Sequence, residues 1–316
     1  MATYKNLRKV LNLPTLSESP SSGANGEMYF NTGDSSLYIY DGAWKKAAQS
    51  AIPVPFFDAT NGSYANKTFN ISSQESEPYA LKFSPDGTKM WAAGIGSDRI
   101  FLYNLSTAHD VSTASYSNVN FNYTSQDTVI QWFDFNPTGT KMYLVAWNNK
   151  RIHQYSLSTA FDISTASSDS VNYLTTTQDA MPVHFGFNDT GTKMYMLGAA
   201  TKKIYQYSLS TAFNVGTASY DSVLYVATGQ ESNPNSFTFN SNGTKMYILG
   251  TTQDAIFEYD LSTGFDLTTV SYNSSSMSVQ SQVTVPNGLT FSSDFSKAYI
   301  INASGVSGQA AVYQYS

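Results

Sequence analysis

The chain has 316 residues, with 17 Lys and Arg against 23 Asp and Glu, a formal net charge of −6 and no cysteine. Only 13% of its residues are charged, while 15% are aromatic. The acidic balance argues against nucleic acid as the main partner, the missing cysteine excludes disulfides and thiolate metal centres, and no apolar run reaches the length of a membrane span.

The first element is a short helix expected over Thr3–Leu13, with Leu7, Val10 and Leu11 on one side. This stretch lacks the apolar core of a signal peptide, so an extracellular location would be reached by another route, such as lysis of the producing cell. A Ser/Pro/Gly loop, Ser17–Gly26, follows. Gly26–Ala47 reads as a small meander: strand, Thr-Gly-Asp turn, strand, Asp-Gly turn, strand. A sheet this small is marginal alone and is expected to pack on a partner or on the rest of the chain.

Beyond it the chain repeats itself. Gly-Thr-Lys-Met occurs at Gly87, Gly139, Gly191 and Gly243, each start 52 residues after the last. Glutamines recur on the same step at Gln74, Gln126, Gln178, Gln230 and Gln282, and phenylalanines at Phe83, Phe135, Phe187, Phe239 and Phe291. Within the copy Ser236–Gln282, strands are expected at Ser236–Asn240, Lys245–Leu249, Ala255–Leu261 and Val270–Val279, with a polar connection over Ser262–Thr269. The turn between the first two strands carries Gly, which supplies the positive φ of a short hairpin. No copy holds ten residues with helical apolar spacing.

Four short strands per repeat of this length is the pattern of a β-propeller blade. The final copy stops after its third strand at Val312–Ser316, while an orphan fourth strand, Ser63–Ser73, stands ahead of the first complete copy. Residues 57–316 number 260, five times 52. The expected fold is all-β: a five-bladed propeller of four-stranded blades closed by pairing its two ends, preceded by the helix and meander. The expected domains are 1–50 and 51–316, with blades near 79–123, 131–174, 183–226, 235–281, and 287–316 completed by 63–73.

Regularity across all copies points to structure. The Gly-Thr-Lys turns and the recurring Phe read as hairpin and inter-blade packing. The glutamines precede the first strands and are followed by Glu75, Asp127, Asp179 and Glu231, with Val283 in the fifth copy. Either they satisfy backbone groups between blades, or they form a rim that binds a cation or polar ligand. Function is sought where copies differ. Ala80, Trp132, His184, Ser236 and Gly288 share one variable position, and Trp147 lies in a variable loop between second and third strands. Trp132, Trp147 and His184 are therefore candidate rim residues together with the glutamines, Asp127 and Asp179; the alternative for each Trp is core filling. Asp134 is a non-repeated acid beside a first strand, but one acid is not the carboxylate pair of a glycosidase. The three His are scattered, so no catalytic residue, metal site or cofactor is expected.

Gly26, Met28–Thr32, Leu37–Gly42 and Trp44 resemble a module of tailed-bacteriophage virion proteins, especially tail fibres and related appendages. The match covers about 22 residues. It implies a non-enzymatic virion protein, held to other virion proteins through residues 1–50, with Tyr4, Leu7, Val10, Leu11, Tyr29 and Trp44 as anchors. The propeller would then be displayed for assembly or for attachment to a host-surface glycan, and the protein would be located in the virion. The alternatives are a free glycan-binding propeller and a five-bladed glycoside hydrolase.

Overall fold

The structure, a computed structural model, describes residues 15–16, 20–23, 27–31, 36–40, 42–46, 57–303 and 310–316. The helix expected over Thr3–Leu13, the expected anchors Tyr4, Leu7, Val10 and Leu11, and the loop Gly305–Gln309 lie outside those residues. The chain divides into two compact units, Met1–Val54 and Pro55–Ser316. The described elements are strands and short 3-10 turns, and the strands form six separate four-stranded sheets.

In the first unit, β1 (Thr15–Leu16) runs parallel to β2 (Met28–Asn31), which continues antiparallel through β3 (Ser36–Tyr40) and β4 (Trp44–Lys46). Gly42 takes φ +72 in the turn between β3 and β4, a conformation that glycine adopts without Cβ strain. Tyr29 is buried, with its ring centroid 5.2 Å from that of Tyr38 and, in an edge-on arrangement, 4.8 Å from that of Trp44.

The second unit begins with β5 (Tyr64–Asn70), followed by four consecutive meanders. These are β6 (Pro78–Phe83), β7 (Lys89–Gly94), β8 (Arg99–Leu105) and β9 (Ala114–Asn122); then β10 (Ile130–Phe135), β11 (Lys141–Ala146), β12 (Arg151–Leu157) and β13 (Ala166–Leu174). The third holds β14 (Pro182–Phe187), β15 (Lys193–Gly198), β16 (Lys203–Leu209) and β17 (Ala218–Val226), and the fourth β18 (Pro234–Phe239), β19 (Lys245–Gly250), β20 (Ala255–Leu261) and β21 (Val270–Ser278). The last sheet takes β22 (Pro286–Phe291), β23 (Ala298–Asn302) and β24 (Ala311–Tyr315), and its fourth strand is β5, antiparallel to β24 with Tyr315 opposite Tyr64.

Burial falls from the inner strands outward. The second strands are buried almost throughout, whereas β9, β13 and β17 alternate half-buried and exposed positions. The outer strands meet their neighbours with a bulge, marked by positive φ at Asn66, Asn118, Ser170, Ser222 and Ser274. A bulge twists an exposed edge away from pairing with another chain.

The first strands touch in succession, β6 with β10, β10 with β14, β14 with β18, β18 with β22, and β22 with β6. The arrangement is propeller-like. The recurring Phe packs on a ring of the preceding sheet's second strand: Phe83 on Tyr299 at 4.3 Å, Phe135 on Trp91 at 4.9 Å, Phe187 on Tyr143 at 4.8 Å, Phe239 on Tyr195 at 4.8 Å and Phe291 on Tyr247 at 4.7 Å. No helix among the described residues is long and apolar enough to cross a membrane.

Candidate functional site

The acids expected on a rim are turned inward. Glu75, Asp127, Asp179 and Glu231 are all buried. Glu75 Oε1 accepts the backbone N–H of Glu77 and Gly96 at 2.8 and 2.9 Å, and Oε2 accepts the Ser97 hydroxyl. Asp127 accepts from the N–H of Val129 and Asn149 and from Asn148 Nδ2. Asp179 accepts from the N–H of Met181 and Thr201, and Glu231 from those of Asn233, Thr252 and Gln253. Each carboxylate thus ties the segment entering the first strand to the loop between the second and third. In the last sheet Val283 occupies the acid's position, and Asn302 Oδ1 accepts the N–H of Val285 instead, at 3.0 Å. These oxygens are engaged by the fold, and no cluster of His, Asp and Glu suited to a metal ion occurs among the described residues.

The five glutamines are half-buried. Gln230 Oε1 accepts the Tyr259 hydroxyl at 3.0 Å, and Gln178 Oε1 those of Tyr207 and Tyr173 at 3.4 Å. The backbone N–H of Gln74, Gln126, Gln178 and Gln282 closes a turn onto the carbonyl three residues earlier. Trp147 is half-buried against an apolar cluster containing Val183 and Leu197, and its carbonyl accepts from Lys150 Nζ. Among the described residues, the structure brings no ligand-ready cluster together at this end of the first strands.

Trp132 and His184 sit not on a rim but at the centre of the unit, 2% and 3% exposed. Their ring centroids are 3.9 Å apart, and Phe237 lies 4.8 Å beyond His184. Of the other residues at this repeat position, Ala80 and Ser236 are small and buried, and Gly288 is required. A Cβ on Gly288 would lie 2.6 Å from the Tyr79 carbonyl oxygen and 2.9 Å from the Trp132 ring. Two large rings and three small residues therefore fill the centre. Trp132 Nε1 and both His184 ring nitrogens are buried with no hydrogen-bond partner among the described residues. Burial, and the nearby Lys82 ammonium, hold the His184 imidazole well below its ordinary range, so it is neutral near pH 7.

Two residues further along the first strands stand Lys82, Asp134, Gly186, Thr238 and Thr290. Lys82 Nζ meets Asp134 Oδ1 at 2.8 Å and lies 5.9 Å from the centre of the Trp132 ring. Gly186 faces empty space, with no atom within 4 Å of where its Cβ would be. Lys82, Asp134, Gly186 and Thr238 line a cleft of about 270 Å³, walled by Phe135, Phe187 and Phe239, with Pro137, Asp189 and Ser241 among its lining. Those last three lie in the turns after the first strands, so the cleft opens at the end opposite the glutamines. The sequence singled out Asp134 but not Lys82 or Gly186. Their signal was departure from the other copies at one repeat position.

No protein-family model and no curated protein matches the chain. Similar solved structures include two bacterial proteins described as "putative 6-phosphogluconolactonase". The one from Bacteroides uniformis is 14% identical with a TM-score of 0.43, over 81% of this chain and 70% of its own. The one from Bacteroides fragilis is 12% identical with a TM-score of 0.45, over 81% and 66%. A Lactobacillus plantarum protein is 14% identical with a TM-score of 0.43, over 78% and 62%. The expectation of a non-enzymatic tailed-bacteriophage virion protein is not met among these neighbours, which are described as bacterial proteins, two by an enzyme's name. At such identities and TM-scores the likeness transfers no activity to this chain.

Proposed function

We propose that residues 51–316 form a five-bladed β-propeller that binds a small molecule in its central cleft, with residues 1–50 as a separate N-terminal module. The observation that carries this reading is the Lys82–Asp134 ion pair standing beside the open space at Gly186, at a repeat position where two other copies carry Thr. A glycine inside a strand forgoes side-chain packing, and such a residue often marks close approach of a ligand to the backbone. An ion pair with 23% and 15% exposed side chains keeps hydrogen-bonding capacity for a visitor. The cleft is concave, mostly apolar and equipped with few polar groups, the usual make-up of a small-molecule site.

The test is a fragment screen by ligand-observed NMR on the full chain and on Gly186→Thr, which copies Thr238 and Thr290. Fragments that bind the natural chain and lose contact with the variant support the site. Fragments that bind both equally place binding elsewhere and refute it.

A further inference from the structure

Resting on that reading, we infer that the cleft takes a planar cyclic amide, a ring presenting a carbonyl acceptor and an N–H donor side by side on one edge. Three features of the cleft select this class.

The first is charge. Lys82 and Asp134 neutralise each other at 2.8 Å. A charged ligand would have to compete with that pair and leave one member unmatched, which is costly in a partly desolvated site. An uncharged ligand leaves the pair intact.

The second is hydrogen bonding. Asp134 Oδ1 holds Lys82 and also accepts the N–H of Phe135. Oδ2 receives no hydrogen bond from a described residue, and it is not among the buried polar atoms without a partner. Lys82 faces Asp134 as an ion pair, and its ammonium carries three N–H donors. The pair therefore offers an acceptor beside donors. The complementary edge is a carbonyl directed at Lys82 next to an N–H directed at Asp134 Oδ2, which is the edge of a lactam or imide.

The third is shape. The walls are the rings of Phe135, Phe187 and Phe239, and the missing side chain at Gly186 leaves a gap over the strand. A flat ring fits against aromatic walls by offset or edge packing. A volume of about 270 Å³ has room for a small planar ring.

The experiment is a saturation-transfer NMR titration of the full chain with four probes: uracil, 1,3-dimethyluracil, benzoate and tetramethylammonium. Uracil is expected to bind, and 1,3-dimethyluracil, which lacks the N–H donors, to bind about tenfold more weakly or not at all. Gly186→Thr is expected to reduce uracil binding by at least about tenfold. Lys82→Met, which removes the donor and keeps the aliphatic stem, is expected to do the same, with near-UV circular dichroism confirming that each variant is folded. If benzoate or tetramethylammonium binds and is blocked by Gly186→Thr while uracil does not bind, the ligand class is wrong and the cleft reading stands. Equal binding of uracil and its dimethyl derivative also overturns the class. If no probe binds, or Gly186→Thr changes nothing, the class and the cleft reading fall together.

Discussion

The Tyr247 hydroxyl donates a 2.6 Å hydrogen bond to the backbone carbonyl of Phe57, 190 residues away in sequence. It is one of a set. Tyr143 bonds the Phe213 carbonyl, Tyr195 that of Phe265 and Tyr299 that of His109. A second set runs alongside: Gln154 accepts the N–H of Val215, Gln206 that of Leu267, Glu258 that of Ala59 and Gln314 that of Val111. The junctions made by residues from opposite ends of the chain thus carry the same two bonds as those made by neighbours. Between the first two complete copies, Leu102 and Trp91 hold the equivalent positions. Trp91 packs on Phe135 and Phe161, and its Nε1 has no partner among the described residues.

Tyr247→Phe removes this bond and little else. It leaves the Phe57 carbonyl unpaired in a buried site, so the expected loss is about 1 kcal/mol of unfolding free energy, or about 2–4 °C in Tm. Calorimetry reads the shift directly. No shift would mean the carbonyl finds another donor.

Glu231 accepts three backbone N–H groups from two segments of chain and is fully buried. Glu231→Ala strands those donors at once. The expected cost is about 2–4 kcal/mol, larger than a single lost bond because several buried donors lose their partner together. Urea denaturation measures it. Hydrogen exchange should also speed up at Asn233, Thr252 and Gln253, since their amides are the ones released.

Much of this architecture is legible in the sequence because a 52-residue period fixes strand order, turn positions and the orphan strand before Gln74. The Phe ladder and the pairing of Tyr315 with Tyr64 follow from that register. Direction of facing does not. Periodicity placed Trp132 and His184 at a variable position, but only packing shows them facing the centre, where Gly288 makes room. The acids after the glutamines looked available because sequence cannot count the backbone N–H groups that converge on each. The virion reading failed for a different reason. It rested on about 22 residues of small aromatic meander, a pattern set by hairpin chemistry and side-chain stacking rather than by a binding site.

His184 provides a pH prediction with a definite sign. Its folded pKa lies well below the ordinary 6.5. Above that value the imidazole is neutral in both folded and unfolded chains and contributes no pH dependence. Below it the unfolded chain takes up a proton that the folded chain refuses, so stability falls as pH falls, by about 1.4 kcal/mol per unit at most for one such group. His109 and His153, also lowered by burial, add in the same direction. The stabilising carboxylates Asp169 and Asp221, whose pKa values are lowered from 3.8, act only at more acid pH. His184→Phe keeps a ring between Trp132 and Phe237. It should flatten the decline between about pH 6.5 and 5 by about 1 kcal/mol per unit. Urea titrations across that range decide it; an unchanged slope would mean that His184 protonates in the folded chain.

Gly191 tests the hairpin and the loop behind it together. Its φ is +68, and a Cβ there would lie 2.4 Å from the Phe213 ring. The backbone cannot swing away, because the Gly191 N–H bonds the Asn188 carbonyl and its own carbonyl accepts the N–H of Phe213. Gly191→Ala should therefore cost more than the roughly 1–2 kcal/mol of left-handed strain alone, with the ring displacement added. The last copy provides the comparison. There Phe295 holds the same place at φ +56, with its ring stacked 5.3 Å from Phe291. Phe295→Gly relieves the strain but forfeits the stack. The two terms are of similar size, about 1 kcal/mol each, so its stability should stay close to that of the natural chain. Denaturant midpoints for both variants test the argument. A loss for Gly191→Ala no larger than that for Phe295→Gly would mean that the Phe213 ring yields freely and that the glycine is set by the turn alone.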